Sequence, residues 1–310
     1  MPKVEGRSSR EASDSPLRRE PLYRTVFGAA YLGDALDVMR GIPDASVKLV
    51  FTSPPFALKR KKEYGNVEAA KYVEWLMPFA AEIRRLLRDD GSFVLDLGGT
   101  WNRGMPTRSL YHYEVALALT RELFHLAQEF YWYNPSKLPS PAEWVTVRRI
   151  RVKDAVNTVW WFSKTPNPDA DNRRVLTAYS ESMERLLENG YKAKQRPSGW
   201  DISENFSRRH EGAIPPNLLQ IANTESNGHY QRACRAAGLK VHPARFPYGL
   251  PEFFVRFLTR PGDMVLDCFA GSNVTGKVCE DLERRWIACD LSAEYLAGSR
   301  FRFEPASCPG

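Results

Sequence analysis

Hydrophobic and polar positions alternate along this chain in blocks that read as strands and helices. Val47–Thr52 is a short β-branched and apolar run stopped by Ser53-Pro54-Pro55, which predicts a buried strand ending in a rigid loop. Tyr72, Trp75, Leu76, Phe79, Ile83, Leu86 and Leu87 recur at helical spacing, predicting a helix within 69–88. Asp89-Asp90-Gly91 reads as a turn into a strand over Ser92–Leu97. A helix over Val115–Phe124 follows, then strands over Phe130–Tyr133 and Val156–Phe162 with the Pro-rich stretch Asn134–Pro141 between them. Residues 164–240 lose the alternation and read as an inserted, loop-rich region. The pattern returns with a helix over Pro251–Leu258, a strand over Met264–Cys268, a glycine loop, a helix and a strand over Arg285–Cys289. Strands alternating with helices predict an α/β fold, a doubly wound, mainly parallel sheet covered on both faces. Residues 1–20 have almost no apolar side chains and read as a disordered tail, with a second tail at 304–310.

Composition narrows the class. The 310 residues are 43% hydrophobic and 26% charged, a globular balance. No apolar run is long enough to span a bilayer, and no apolar segment follows the N-terminus as a secretory signal would require. Cys234, Cys268, Cys279, Cys289 and Cys308 form no C-x-x-C pair, which disfavours a zinc or disulfide framework and fits a cytoplasmic protein. The net charge is +7, and its position matters more than its size. Residues 101–250 hold 21 basic against 14 acidic groups, whereas residues 251–310 hold 7 against 9. A polyanion would meet the middle of the chain.

Two constellations carry chemistry. In Asp267-Cys268-Phe269-Ala270-Gly271-Ser272-Asn273-Val274-Thr275-Gly276, small residues join a strand to a helix, so a ligand can approach the backbone closely. Asp290 follows the next strand, where an acidic side chain can accept ribose hydroxyls. Alone, this is also a plain strand–turn–helix connection. Without G-x-G-x-x-G, and with Asp267 at the strand end, a cationic cofactor such as S-adenosylmethionine suits the loop better than a dinucleotide. In Ser53-Pro54-Pro55-Phe56, the prolines offer carbonyl oxygens without N–H donors, Ser53 adds a hydroxyl and Phe56 an apolar plate. Such a loop can hold an exocyclic amino group by its N–H bonds and stack its ring. Alone, it is equally a bend after a core strand.

The order of these parts, acceptor loop first and cofactor loop last, resembles the group β amino-methylating DNA methyltransferases over about residues 30–300. Ser53–Phe56 is similar to the serine form of that family's catalytic motif, typical of cytosine-N4 enzymes. Asp267–Gly276 resembles its cofactor loop, with Asn273 where glycine is more usual. The resemblance implies a class I S-adenosylmethionine-dependent methyltransferase fold in permuted order. It implies catalytic roles for Ser53, Pro54, Pro55 and Phe56. It further implies cofactor contacts from Asp34, His242, Phe246, Pro247, Asp267, Phe269, Gly271, Ser272, Asn273, Thr275 and Asp290. Its organisation would be a catalytic half at 21–163, a target-recognition region at 164–240 and a cofactor-binding half at 241–303. Tyr133-Asn134-Pro135 falls where the family lines its target-base pocket. The implied activity is methylation of cytosine N4 in a short double-stranded DNA site, within a restriction–modification system or as an orphan enzyme, by a monomer or weak dimer without a metal.

The implied DNA contacts follow the basic clusters. They are Lys59, Arg60, Lys61 and Lys62 after the catalytic loop, then Arg148, Arg149 and Arg151, then Arg208 and Arg209, with Arg196, Ser226 and Asn227 as candidates for reading bases. Adenine-N6 methylation on the same fold, a non-catalytic DNA-binding protein and a nicotinamide oxidoreductase are the competing readings. Ser53 disfavours the first, the intact tetrad the second, and the motif order the third.

Overall fold

Every residue of the strand Val47–Thr52 is buried, as a central strand covered on both faces requires. In this computed structural model, residues 19–57, 67–190, 208–224 and 227–304 are described. The strands are β1 (Tyr23–Arg24), β2 (Gly28–Leu32), β3 (Val47–Thr52), β4 (Leu87–Leu97), β5 (His125–Tyr133), β6 (Val156–Ser163), β7 (Leu218–Gln220), β8 (Met264–Asp267) and β9 (Arg285–Asp290). The helices are α1 (Ala35–Arg40), α2 (Tyr72–Leu86), α3 (Tyr111–Glu122), α4 (Glu181–Asn189), α5 (His229–Ala236), α6 (Gly249–Leu258), α7 (Val274–Asp281) and α8 (Ala293–Ser299).

The strands form one nine-stranded sheet in the order β1-β2-β9-β8-β3-β4-β6-β5-β7. From β2 to β4 all neighbours are parallel, and β6 runs antiparallel between β4 and β5. The mainly parallel, doubly wound sheet is therefore present. From Leu49 on, side chains of β3 alternate between opposite cores: Val50 joins α1, α2 and α3, while Leu49 and Phe51 join α6, α7 and α8. The catalytic strand β3 and the cofactor strand β8 are neighbours despite their distance in sequence.

Two expectations change. Asp89-Asp90-Gly91 is not a turn before a strand, because β4 begins at Leu87. Its register against β3 jumps from Val47↔Leu87 to Leu49↔Ser92, so Arg88–Gly91 bulge out. The cause is Lys48, whose side chain is 1% exposed and whose Nζ lies 2.9 Å from Asp90 and 3.3 Å from Asp169. The bulge wraps the buried ammonium, and Nζ also donates to the Asp90 carbonyl at 3.0 Å. Burial would raise the Asp90 pKa, but Lys48 and Arg88 hold it below the usual value. Second, the irregular 164–240 stretch is partly built into the sheet and its cover. β7 pairs with β5 at the edge, and α5 buries Tyr230 and Cys234, the latter with Sγ 3.8 Å from the Gly298 carbonyl of α8. Among the described residues of that stretch, α4 buries no side chain.

Candidate active site

The Ser53–Phe56 loop leaves β3 at the carboxyl edge of the sheet, the edge at which α/β proteins bind ligands. Ser53 Oγ donates to Asp96 Oδ2 at 3.1 Å, and Asn157 Nδ2 donates to Asp96 Oδ1 at 3.2 Å. Asp96 is 2% exposed. Burial pushes its pKa up to about 6, opposed by the bonds from Asn157 and Ser53 and by the charge of Lys137. Tyr72 donates to the Pro55 carbonyl at 2.9 Å and so fixes the second proline. Phe56 lies so close to Gly98 that a Cβ there would sit 2.6 Å from Cε2, which explains the missing side chain at the end of β4.

The second half of the site is built on β8, α7 and β9. Asp267 accepts from Thr52 Oγ1 and Thr275 Oγ1, each at 2.7 Å, and from the Phe269 amide at 3.2 Å. Burial pushes its pKa up to about 6 against those bonds. Gly271 has φ +50°, and a Cβ there would lie 2.9 Å from His242 Nε2. Its amide donates to Asp290 Oδ2 at 2.8 Å, while the Ser292 amide donates to Oδ1 at 2.8 Å. Burial raises the Asp290 pKa, and these two amides oppose it. Asn273 adopts φ +52°, which asparagine tolerates, and caps α7 by accepting from the Gly276 amide at 3.0 Å.

A cavity of about 1140 Å³ joins the two halves. Ser53, Pro54, Pro55 and Phe56 line it together with Asp34, His242, Phe246, Phe269, Gly271, Ser272 and Asp290. Asp34 also caps α1, accepting from the Leu36 amide at 2.9 Å. His242 packs edge-on against Tyr295, and Phe246 against Phe51. Asp267, Asn273, Thr275 and Pro247 stand behind the wall. Both Asp267 oxygens are already bonded to protein donors, Asn273 Nδ2 is bonded to Tyr23 Oη at 2.9 Å, and the Pro247 carbonyl accepts from Leu250. These four shape the site from outside.

Sequence reasoning missed Asp96, Asn157 and Lys137, which share the cavity wall with Ser53. Asp96 had a signal: a carboxylate inside the apolar run Phe93-Val94-Leu95-Asp96-Leu97 needs a reason to be buried. Asn134 does line the cavity.

The candidate nucleic-acid contacts do not converge into one patch of the cavity. Arg148 stacks over Trp144 at 5.1 Å, Arg149 is exposed at φ +54°, and Arg151 donates twice to the Pro106 carbonyl. Arg208 is exposed, and Arg209 pairs with Glu184. The Asn227 side chain accepts from Arg235 at 2.9 Å. Lys59, Arg60, Lys61, Lys62, Arg196 and Ser226 lie outside the described residues.

Comparison with known proteins agrees with this architecture. The chain is 54% identical over 289 residues to the Type II methyltransferase M.PvuII of Proteus hauseri, covering 92% of this chain and 86% of that one. The solved structure of PvuII DNA methyltransferase, described as cytosine-N4-specific, matches with a TM-score of 0.78 at 48% identity over 94% of this chain and 92% of the other. The M1.HpyAVI–SAM complex shares the fold, with a TM-score of 0.54 at 18% identity over 90% of this chain and 100% of the other. A family model described as DNA methylase matches residues 47–300. With a permuted α/β sheet that brings an acceptor loop and a glycine loop to one cavity, the chain belongs to the DNA methylase family.

Proposed function

We propose that this protein transfers a methyl group from S-adenosylmethionine to the exocyclic N4 of a cytosine turned out of duplex DNA, as the modification enzyme of a restriction–modification system. It would do so in the cytoplasm, as a monomer or weak dimer. The observation that carries this reading is the Ser53 hydroxyl bonded to buried Asp96 on the same cavity wall as the Gly271–Asp290 cradle. The cytosine-N4 description of the 48% identical PvuII structure supports the choice of base.

The residues fit the cofactor. The Asp290 oxygens are each held by one backbone amide, which leaves lone pairs for two ribose hydroxyls. Gly271 keeps that approach open, because its missing Cβ would fill the space toward His242. Bound S-adenosylmethionine supplies an electrophilic methyl group on a sulfonium centre. Extruding the base costs a few kcal/mol, which stacking on Phe56 and bonds to Ser53 and the Pro54 carbonyl would offset. Ser53 Oγ–H already points at Asp96, so its lone pairs are available to an amine N–H. The amino nitrogen must shed a proton as it becomes methylated. Ser53 Oγ takes that proton and passes its own to Asp96 Oδ2, a carboxylate that is mostly ionised at neutral pH because its pKa is about 6. Asn157 holds the other oxygen in place.

The test is methylation of duplex DNA with labelled S-adenosylmethionine, digestion and mass spectrometry of the nucleosides. N4-methylcytosine is expected. N6-methyladenine, or DNA that stays unlabelled, overturns the proposal.

A further inference from the structure

A second cavity of about 350 Å³ opens beside the first. Gly99 lines it, and the preceding Gly98 lies against Phe56 of the active site, so two adjacent glycines separate the two spaces. Its wall carries three cationic side chains, Arg108, Arg151 and Lys153, against the single carboxylate of Asp154. Arg108 pairs with Asp154 through Nη1 and lies 5.2 Å over the Trp101 ring. Arg151 is steered by the Pro106 carbonyl at 3.1 and 2.8 Å. Lys153 is steered by the carbonyls of Pro135 at 3.1 Å and Lys137 at 3.3 Å. Carbonyl oxygens orient a cation without neutralising it, so the wall keeps a net positive charge.

With three cations against one carboxylate, this wall suits an anionic ligand rich in acceptor oxygens.

We propose that this cavity binds a phosphate of the DNA backbone beside the nucleotide turned out into the active site. The proposal rests on the DNA-methylating reading above and adds to it a discrete phosphate subsite built from Arg108, Arg151 and Lys153.

The test compares duplex DNA binding by wild-type protein, Arg108→Gln and Asp154→Asn over a range of salt, with S-adenosylmethionine affinity as the check on folding. Arg108→Gln should lower the slope of log Kd against log salt by about one charge and weaken binding. Asp154→Asn removes the only carboxylate of the wall and should tighten binding several-fold. A purely structural Arg108–Asp154 pair would weaken binding in both variants, which overturns the proposal, as does an unchanged slope in a well-folded Arg108→Gln. Saturation by inorganic phosphate with no change in the DNA slope makes this a free-phosphate site and overturns the assignment. Wild-type protein that methylates DNA while Arg108→Gln keeps its slope fails this proposal alone. Wild-type protein that transfers no methyl group to DNA overturns both.

Discussion

Ser53 and Asp96 form a pair that behaves as one unit: the hydroxyl is oriented by the carboxylate, and the carboxylate is kept poised by its burial. Ser53→Ala should lower methyl transfer at least a hundredfold while S-adenosylmethionine binding survives, because Asp290 and Gly271 are untouched. Equal loss of both would assign the loop to folding. The rate should fall on the acid side as Asp96 takes up a proton, with half the activity left near pH 6. Asp96→Asn should abolish that acid limb along with most of the rate, and a pH–rate profile of the residual activity checks it. Gly271→Ala places a Cβ 2.9 Å from His242 at a backbone φ of +50°. S-adenosylmethionine affinity should drop more than tenfold, as calorimetric titration would register.

At the scale of elements, the bulge at the start of β4 depends on one buried ammonium. Lys48→Ala removes the stem packing and the charge, and should cost about 2–3 kcal/mol in urea unfolding. Lys48→Met keeps most of the packing but also removes the ammonium that Asp90 and Asp169 hold, so it should cost nearly as much. A clearly smaller loss would mean that the stem, not the ammonium, sustains the bulge. The bulge also shows what the sequence could not convey. Asp89-Asp90-Gly91 has the composition of a turn, and only the distant Lys48 and Asp169 make it part of a strand. β5 begins at His125, earlier than its apolar end Phe130–Tyr133 suggests, because its first residues face solvent and carry no alternation. β7 is three residues long, too short for a period to register. By contrast, β3, α2, α6, β8 and β9 were legible, since each has a covered face that imposes a pattern. Within the site, the loops were legible through their prolines and glycines, whereas Asn157 and Lys137 act through proximity alone. Asp267 and Thr275 fit the motif and yet are bonded to each other behind the cavity wall, because a motif records that a residue is needed and not which way it faces.

Over the whole molecule, two fully buried carboxyls tie stability to pH. Asp96 and Asp267 each rise from an ordinary 3.8 to about 6 through burial, so the folded chain binds these protons more tightly than the unfolded one. Their contribution is fully present below pH 4 and is lost as pH rises through 6, on the order of 3 kcal/mol for each carboxyl. Asp96→Asn/Asp267→Asn should therefore show a flatter dependence of unfolding free energy on pH between 4 and 7 than the wild type. Parallel curves would show that these carboxyls titrate alike in both states.

The bond from Thr52 to Asp267 joins residues 215 positions apart, on adjacent central strands. Because β8 lies between β9 and β3, the sheet has no continuous middle until that late strand arrives. A ribosome therefore releases most of this chain before the cofactor strand can join the catalytic strand. Contacts of such long range form slowly, so the interval between synthesis and competence is written into the strand order. In a cell where a matching nuclease is made at the same time, that delay is a head start for the nuclease, and timing of expression must compensate for topology.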